Sequence, residues 1–201
     1  MSLGCLHAQN MKTVFVSMPD SILPLLTKVN REDCVDFLDS KMKAVVKNRF
    51  GKDVELKQLT EDYLQMQTSS YSEMEMKLLP LNDTVKVICM VNTVCASACD
   101  SRIDFFTLQW QPLSKDKFIT LPADTAFYLS AHPADDKEIE IRKKADLCLV
   151  KMEMADSTSL LQMQYTTPNY LNKEDKEMIL PYLKKEKLVY EWKDARFSRT
   201  K

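Results

Sequence analysis

The sequence predicts an α+β fold: an antiparallel sheet meander packed against a long N-terminal helix, with a second, smaller sheet-plus-helix half. Three observations carry this. Residues 31–49 show helical periodicity between helix start and stop signals. Residues 54–111 show strand periodicity broken by turn chemistry. Helical and strand patterns are segregated along the chain rather than alternating, which favours antiparallel over parallel sheet.

Residues 13–29 come first. Val14, Phe15 and Val16 are apolar, but Pro19 and Pro24 divide the segment into short pieces at the edge of a core. Asn30 then reads as a helix N-cap, since its side chain can accept from free N–H groups of a first turn. Glu32 and Asp33 suit the positive end of the helix. Cys34, Phe37, Leu38, Met42, Val45 and Val46 fall on one face of a helix over 31–49, and Gly51 stands where a left-handed cap is expected.

The strands come next. Leu64, Met66 and Thr68 alternate with Tyr63, Gln65 and Gln67. Met74, Met76 and Leu78 alternate with Glu73, Glu75 and Lys77, which predicts one buried and one wet face. Residues 84–110 differ. Val85, Val87, Cys89 and Val91 form one apolar face, while Ile88, Met90 and Val94 make the other apolar too. Ile103, Phe105, Phe106, Leu108 and Trp110 repeat the pattern, so these two strands are central and covered on both sides. Residues 112–137 connect the halves, punctuated by Pro112, Pro122 and Pro133, with a helical turn or two within 124–130. Residues 138–166 read as strands again, with Cys148, Val150, Met152 and Met154 on one face. A last helix begins near Lys173, capped by Asn172 and ended or kinked by Pro181. Residues 188–192 are a final strand, and 194–201 a frayed polar tail. The run Leu-Gln-Met-Gln occurs at 64–67 and at 161–164, read as coincident strand patterning rather than a repeat. The chain of 201 residues is either one domain over 11–201 or two lobes, 11–113 and 114–201.

Composition removes several function classes. Two glycines, Gly4 and Gly51, leave nothing for a P-loop, a dinucleotide fingerprint or a nucleophile elbow, whose backbones need glycine. A net charge of −1 gives no electrostatic reason to expect nucleic acid as partner. No run approaches the ~18 apolar residues of a membrane span. Residues 1–10 read as a tail. Leu6-His7-Ala8 before Gln9 resembles the end of a secretory signal, with lipid anchoring through Cys5 in a partial lipobox and an ordinary disordered tail as the other readings.

Four sets of residues invite chemistry. Cys95 and Cys99 lie between strands with three residues between them; they form a local disulfide, a free thiol pair, or a redox or metal pair. His132 with Asp135 and Asp136 is the candidate loop site, since a histidine near acids can serve as a base for a thiol nucleophile. The 12 methionines include Met-x-Met pairs on strands, whose soft thioethers suit Cu(I) but whose positions suit adaptable core packing. Cys34, Cys89 and Cys148 read as core residues. No catalytic carboxylate pair stands out among 29 acids, and no cofactor or metal ligand set is legible.

The runs MPDSILPLLTKVNREDCVDFLDSKMKA at 18–44 and MEMKLLPLNDTVKVICMVNTVCASACDSRIDFF at 74–106 resemble a family of secreted Bacteroidales proteins of unknown function, the domain-of-unknown-function 3256 type. The resemblance covers the chain after residue 10 and implies export to the periplasm or cell envelope. It carries no activity or catalytic residue. The expectation is an exported, non-catalytic binding or structural module with an unknown protein or small-molecule partner. The alternatives are an envelope thiol–disulfide protein using Cys95 and Cys99, and a Cu(I)-binding protein.

Overall fold

The computed structural model describes residues 10–200, so the signal-like Leu6-His7-Ala8 and the Cys5 reading lie outside the described residues. Seven strands form a simple antiparallel meander in chain order: β1 Ala44–Lys47, β2 Asp53–Leu59, β3 Tyr63–Ser69, β4 Ser72–Pro80, β5 Lys86–Cys95, β6 Cys99–Thr107 and β7 Pro112–Leu113. Two helices cover one face, α1 Met11–Val16 and α2 Lys28–Asp39. Met11, Phe15, Met18, Cys34 and Val35 pack there on Leu64, Met66, Met74, Met76, Ile88 and Met90. The Trp110 indole N–H donates to the Val14 carbonyl at 3.1 Å, tying the end of the meander to α1.

A second sheet covers the other face. Its strands are β8 Val150–Met154, β9 Leu160–Tyr165, β10 Leu188–Lys193 and β11 Arg196–Arg199, in the order β11-β10-β9-β8. Val87, Cys89, Val91, Ile103 and Phe105 meet Met152, Leu161, Met163, Tyr190 and Trp192 in a core that both halves of the chain build. The central strands β5 and β6 are therefore covered on both sides, as their doubly apolar pattern predicts. Beyond this core, α3 Asp136–Lys144 and α4 Lys173–Ile179 bury Ile141 and Ile179 against Tyr128 and Leu183.

The architecture is α+β as read, with four local corrections. The predicted helix over 31–49 stops at Asp39. Thr27 is its N-cap, with Asn30 three residues inside a reciprocal capping box. Lys41 takes a positive φ of 57°, which turns the chain, and β1 comes after it. Ala44 and Val46 are buried with strand period, Met42 is exposed, and Gly51 (φ 70°) turns the β1–β2 hairpin rather than capping a helix. Residues 13–29 include the last turn of α1, capped by Asn10. Part of the predicted strand region 138–166 is α3. Glu138, Ile139, Glu140 and Ile141 mimic alternation, but Asp135 caps a helix with acids in its first turn and Arg142, Lys143 and Lys144 in its last. Residues 194–200 of the predicted tail are not frayed: β11 pairs with β10 and buries Phe197. Among the described residues no helix is long and apolar enough to cross a membrane.

Candidate functional site

The site begins with a conflict inside β4. Alternation puts Glu73, Glu75 and Lys77 on a wet face, yet Glu75 is 7% and Lys77 3% exposed. The reason is β8. It is an edge strand of the small sheet, and it crosses the large sheet with the N–H groups of Val150, Met152 and Met154 unpaired by any strand. Each finds a side chain instead. Val150 donates to Asp100 Oδ1 at 3.1 Å, Met152 to Ser101 Oγ at 2.9 Å and Met154 to Glu75 Oε2 at 3.2 Å. An open strand edge is thereby closed without another strand.

The turn after β8 is pinned by the same polar group. Glu75 Oε1 accepts from the Tyr63 hydroxyl at 2.6 Å. Lys77 Nζ donates to the carbonyls of Ala155 (2.9 Å) and Asp156. The Asp156 carboxylate accepts from Gln58 Nε2 at 3.0 Å and from Thr60 Oγ1 at 2.8 Å. A buried ammonium and a buried carboxylate are tolerable here because each is hydrogen-bonded.

Beside this clasp lies a cleft of about 390 Å³. Gln65, Glu73 and Thr93 of the large sheet form one wall, and Lys151, Glu153 and Gln162 of the small sheet, with Thr158 from the turn between β8 and β9, form the other. Gln65 Nε2 donates to Glu73 Oε1 at 2.6 Å. Burial pushes the Glu75 carboxyl above the usual carboxylate range, and the bonds from Tyr63 and Met154 offset only part of that. Burial acts on Glu153 in the same direction, but hydrogen bonds from Lys151 and Lys187 outweigh it and hold that carboxyl below its usual value. Two carboxyls with diverging acidities can mark an acid–base pair. Here both oxygens of Glu75 already hold the fold together, and Glu153 is engaged by two lysines. What faces the cleft is a set of carboxylate and carboxamide groups, with Lys151 among them.

The residues singled out from sequence lie elsewhere. Cys95 and Cys99 stand opposite each other at the end of the β5–β6 hairpin and are joined by a disulfide. His132 is exposed in the loop before α3. Asp135 caps that helix through the Glu138 N–H at 2.8 Å, and Asp136 is its exposed first residue. The bond occupies both of the thiols that the sequence offers His132 as partners. Met74 and Met76 are buried in the helix-side core, Met152 and Met154 in the inter-sheet core. Cys34 and Cys89 are buried as read, and burial raises the Cys34 thiol to about 12. Cys148 corrects the reading: it precedes β8 and is exposed. Among the described residues, no three His, Cys, Asp or Glu side chains gather as a metal would require. Glu75, Lys77 and Asp156 were missed. Alternation reads Glu75 and Lys77 as a wet face, and what covers them is β8 and its following turn, whose Met154 and Ala155 come 79 and 78 residues later in the chain.

A family profile described as Protein of unknown function (DUF3256) matches residues 4–197. No curated protein matches the chain. Among solved structures, a domain of an uncharacterized protein from Porphyromonas gingivalis is similar over 94% of this chain and 98% of that one, at 29% identity and a TM-score of 0.85.

Proposed function

Since the chain belongs to the DUF3256 family of proteins of unknown function, we propose from the site itself that it is a non-catalytic binding module acting outside the cytoplasm, with the cleft beside β8 as its site for a small polar ligand. The observation that carries this reading is the acceptor-rich wall set of Glu73, Glu153, Gln65 and Gln162 around a cleft of about 390 Å³, a size typical of small-ligand sites. Such walls suit a ligand rich in hydroxyl or ammonium donors. The Cys95–Cys99 disulfide supports an oxidising compartment, where such bonds persist.

Calorimetric titration with amino sugars, polyols, diamines and small dicarboxylates tests it. Saturable binding of a donor-rich compound, weakened about tenfold by Glu73→Gln, supports the reading; a tenfold change corresponds to the loss of one good polar contact. Preference for dicarboxylates, or enzymatic turnover abolished by a cleft substitution, would overturn it.

The disulfide favours a second reading, thiol–disulfide exchange through Cys95 and Cys99, because both residues are only half-buried. A measured potential more reducing than about −300 mV would assign the bond a structural role.

A further inference from the structure

A second concavity, of about 420 Å³, opens where α4, residues 183–187 and the end of β9 meet. Its floor is apolar: Phe127, Pro168 and Leu183 are buried, and Tyr165 is half-buried. The rings of Phe127 and Tyr165 stack with centroids 5.2 Å apart and planes 16° from parallel. Leu180 stands on the wall with half of its surface exposed. The rim is basic. Lys176, Lys184, Lys185 and Lys187 line the groove, and Glu186 is the single acid among the lining residues.

We propose that this groove binds a small amphiphilic carboxylate, its apolar body on the Phe127–Tyr165 floor and its anionic head among Lys176, Lys184 and Lys185.

Charge complementarity points to that occupant. Lys187 is paired with Glu153, but none of the other three lysines has a carboxylate partner among the described residues. Lys176 Nζ donates to Asn169 Oδ1 at 2.7 Å, and Lys184 Nζ to the Ala126 carbonyl at 2.7 Å. Neutral acceptors thus hold two ammonium groups in place without cancelling their charge. The chain as a whole carries −1, so the basic rim is a local feature and not a consequence of composition. Concavity of this size encloses a bounded molecule rather than a flat surface. The groove is separate from the cleft beside β8: Lys187 on one side donates to Glu153 on the other, so their ion pair forms the partition.

The test is a titration of the full chain with decanoate below its micellar concentration, followed by calorimetry and backbone amide shifts. Decanol and decylamine, with the same chain and a different head, are the controls. Saturable decanoate binding at least tenfold tighter than either control, with shifts at Tyr165 and Leu183, is the expected result. The double variant Lys176→Gln, Lys185→Gln, checked for an unchanged circular dichroism spectrum, should weaken decanoate tenfold or more. It should leave ligands of the β8 cleft unaffected, which separates failure here from failure of that site. Equal affinity for decanoate and decanol, no saturable binding, or association only with polyglutamate or with phosphatidylglycerol vesicles would each overturn the proposal.

Discussion

Glu75 on β4 and Met154 on β8 are joined across two sheets: the buried carboxylate accepts the strand's last free N–H at 3.2 Å. Apolar contacts between sheets tolerate sliding, because the hydrophobic effect has no direction. A hydrogen bond to one N–H does not. With Ser101 and Asp100 spaced along the same edge, Glu75 fixes where β8 crosses the large sheet and hence the shape of the cleft beside it.

Removing that carboxylate should be costly. Glu75→Ala leaves the Tyr63 hydroxyl and the Met154 N–H without their acceptor, and each unsatisfied buried group costs about 1–3 kcal/mol. The expected loss is about 3 kcal/mol in urea denaturation. Glu75→Gln keeps one acceptor oxygen and should lose about 1 kcal/mol. Equal stability of Glu75→Ala and the parent would mean that the two bonds contribute nothing.

The same group sets a pH dependence. Burial raises the folded-state pKa of Glu75 above its ordinary value of 4.5. The native state therefore holds this proton more tightly than the unfolded chain does. Stability contributed by Glu75 is greatest below about 4.5 and falls as pH rises from there through the raised value. Glu75→Gln carries no titrating group, so the difference in stability between parent and variant should narrow or reverse as pH rises across that window. A difference independent of pH would show that Glu75 titrates normally.

The five cysteines among the described residues should separate into three classes. Alkylation with iodoacetamide, mapped by peptide mass spectrometry, should label Cys148 in the native protein. Cys34 and Cys89 should react only after unfolding, because burial both shields them and disfavours the thiolate. Cys95 and Cys99 should react only after reduction. Native-state labelling of Cys34 or Cys89 would contradict the packing of the cores they occupy.

Much of this architecture was legible in the sequence, and the failures have physical causes. Val87, Cys89 and Val91 opposite Ile88 and Met90 announced a strand covered twice, because every position had to be apolar. The capping chemistry of Asn172 at α4 was equally direct. Residues 40–47 misled because Val45 and Val46 also continue the helical spacing; only the chain reversal at Lys41 separates them from α2. Ile139 and Ile141 misled because a short helix with one buried apolar side chain has too little periodicity to oppose an apparent alternation. The candidate site was hidden for a different reason. Glu75 and Asp156 lie far apart in sequence, and their roles depend on where an edge strand lands.

The β10–β11 hairpin offers the sharpest local test. Asp194 and Ala195 sit between the paired residues Lys193 and Arg196 with φ of 51° and 59°. Two positive values in a two-residue loop are the signature of a turn that favours Asn-Gly. Alanine there carries a left-handed penalty of about 1–2 kcal/mol. Two effects oppose its removal. Glycine enlarges the entropy of the unfolded chain by about 0.4–1 kcal/mol, and the Ala195 methyl packs against the inter-sheet core. Ala195→Gly should therefore be neutral to slightly stabilising. Ala195→Val separates backbone from packing. If apolar burial decided the outcome, the larger side chain would stabilise the hairpin. If the backbone decides, a β-branched residue at positive φ is worse than alanine, and the variant should lose about 1–2 kcal/mol. Thermal melts of the three proteins should rank glycine at or above alanine and valine clearly below. Valine at or above alanine would show that the turn relaxes to another conformation and stores no strain.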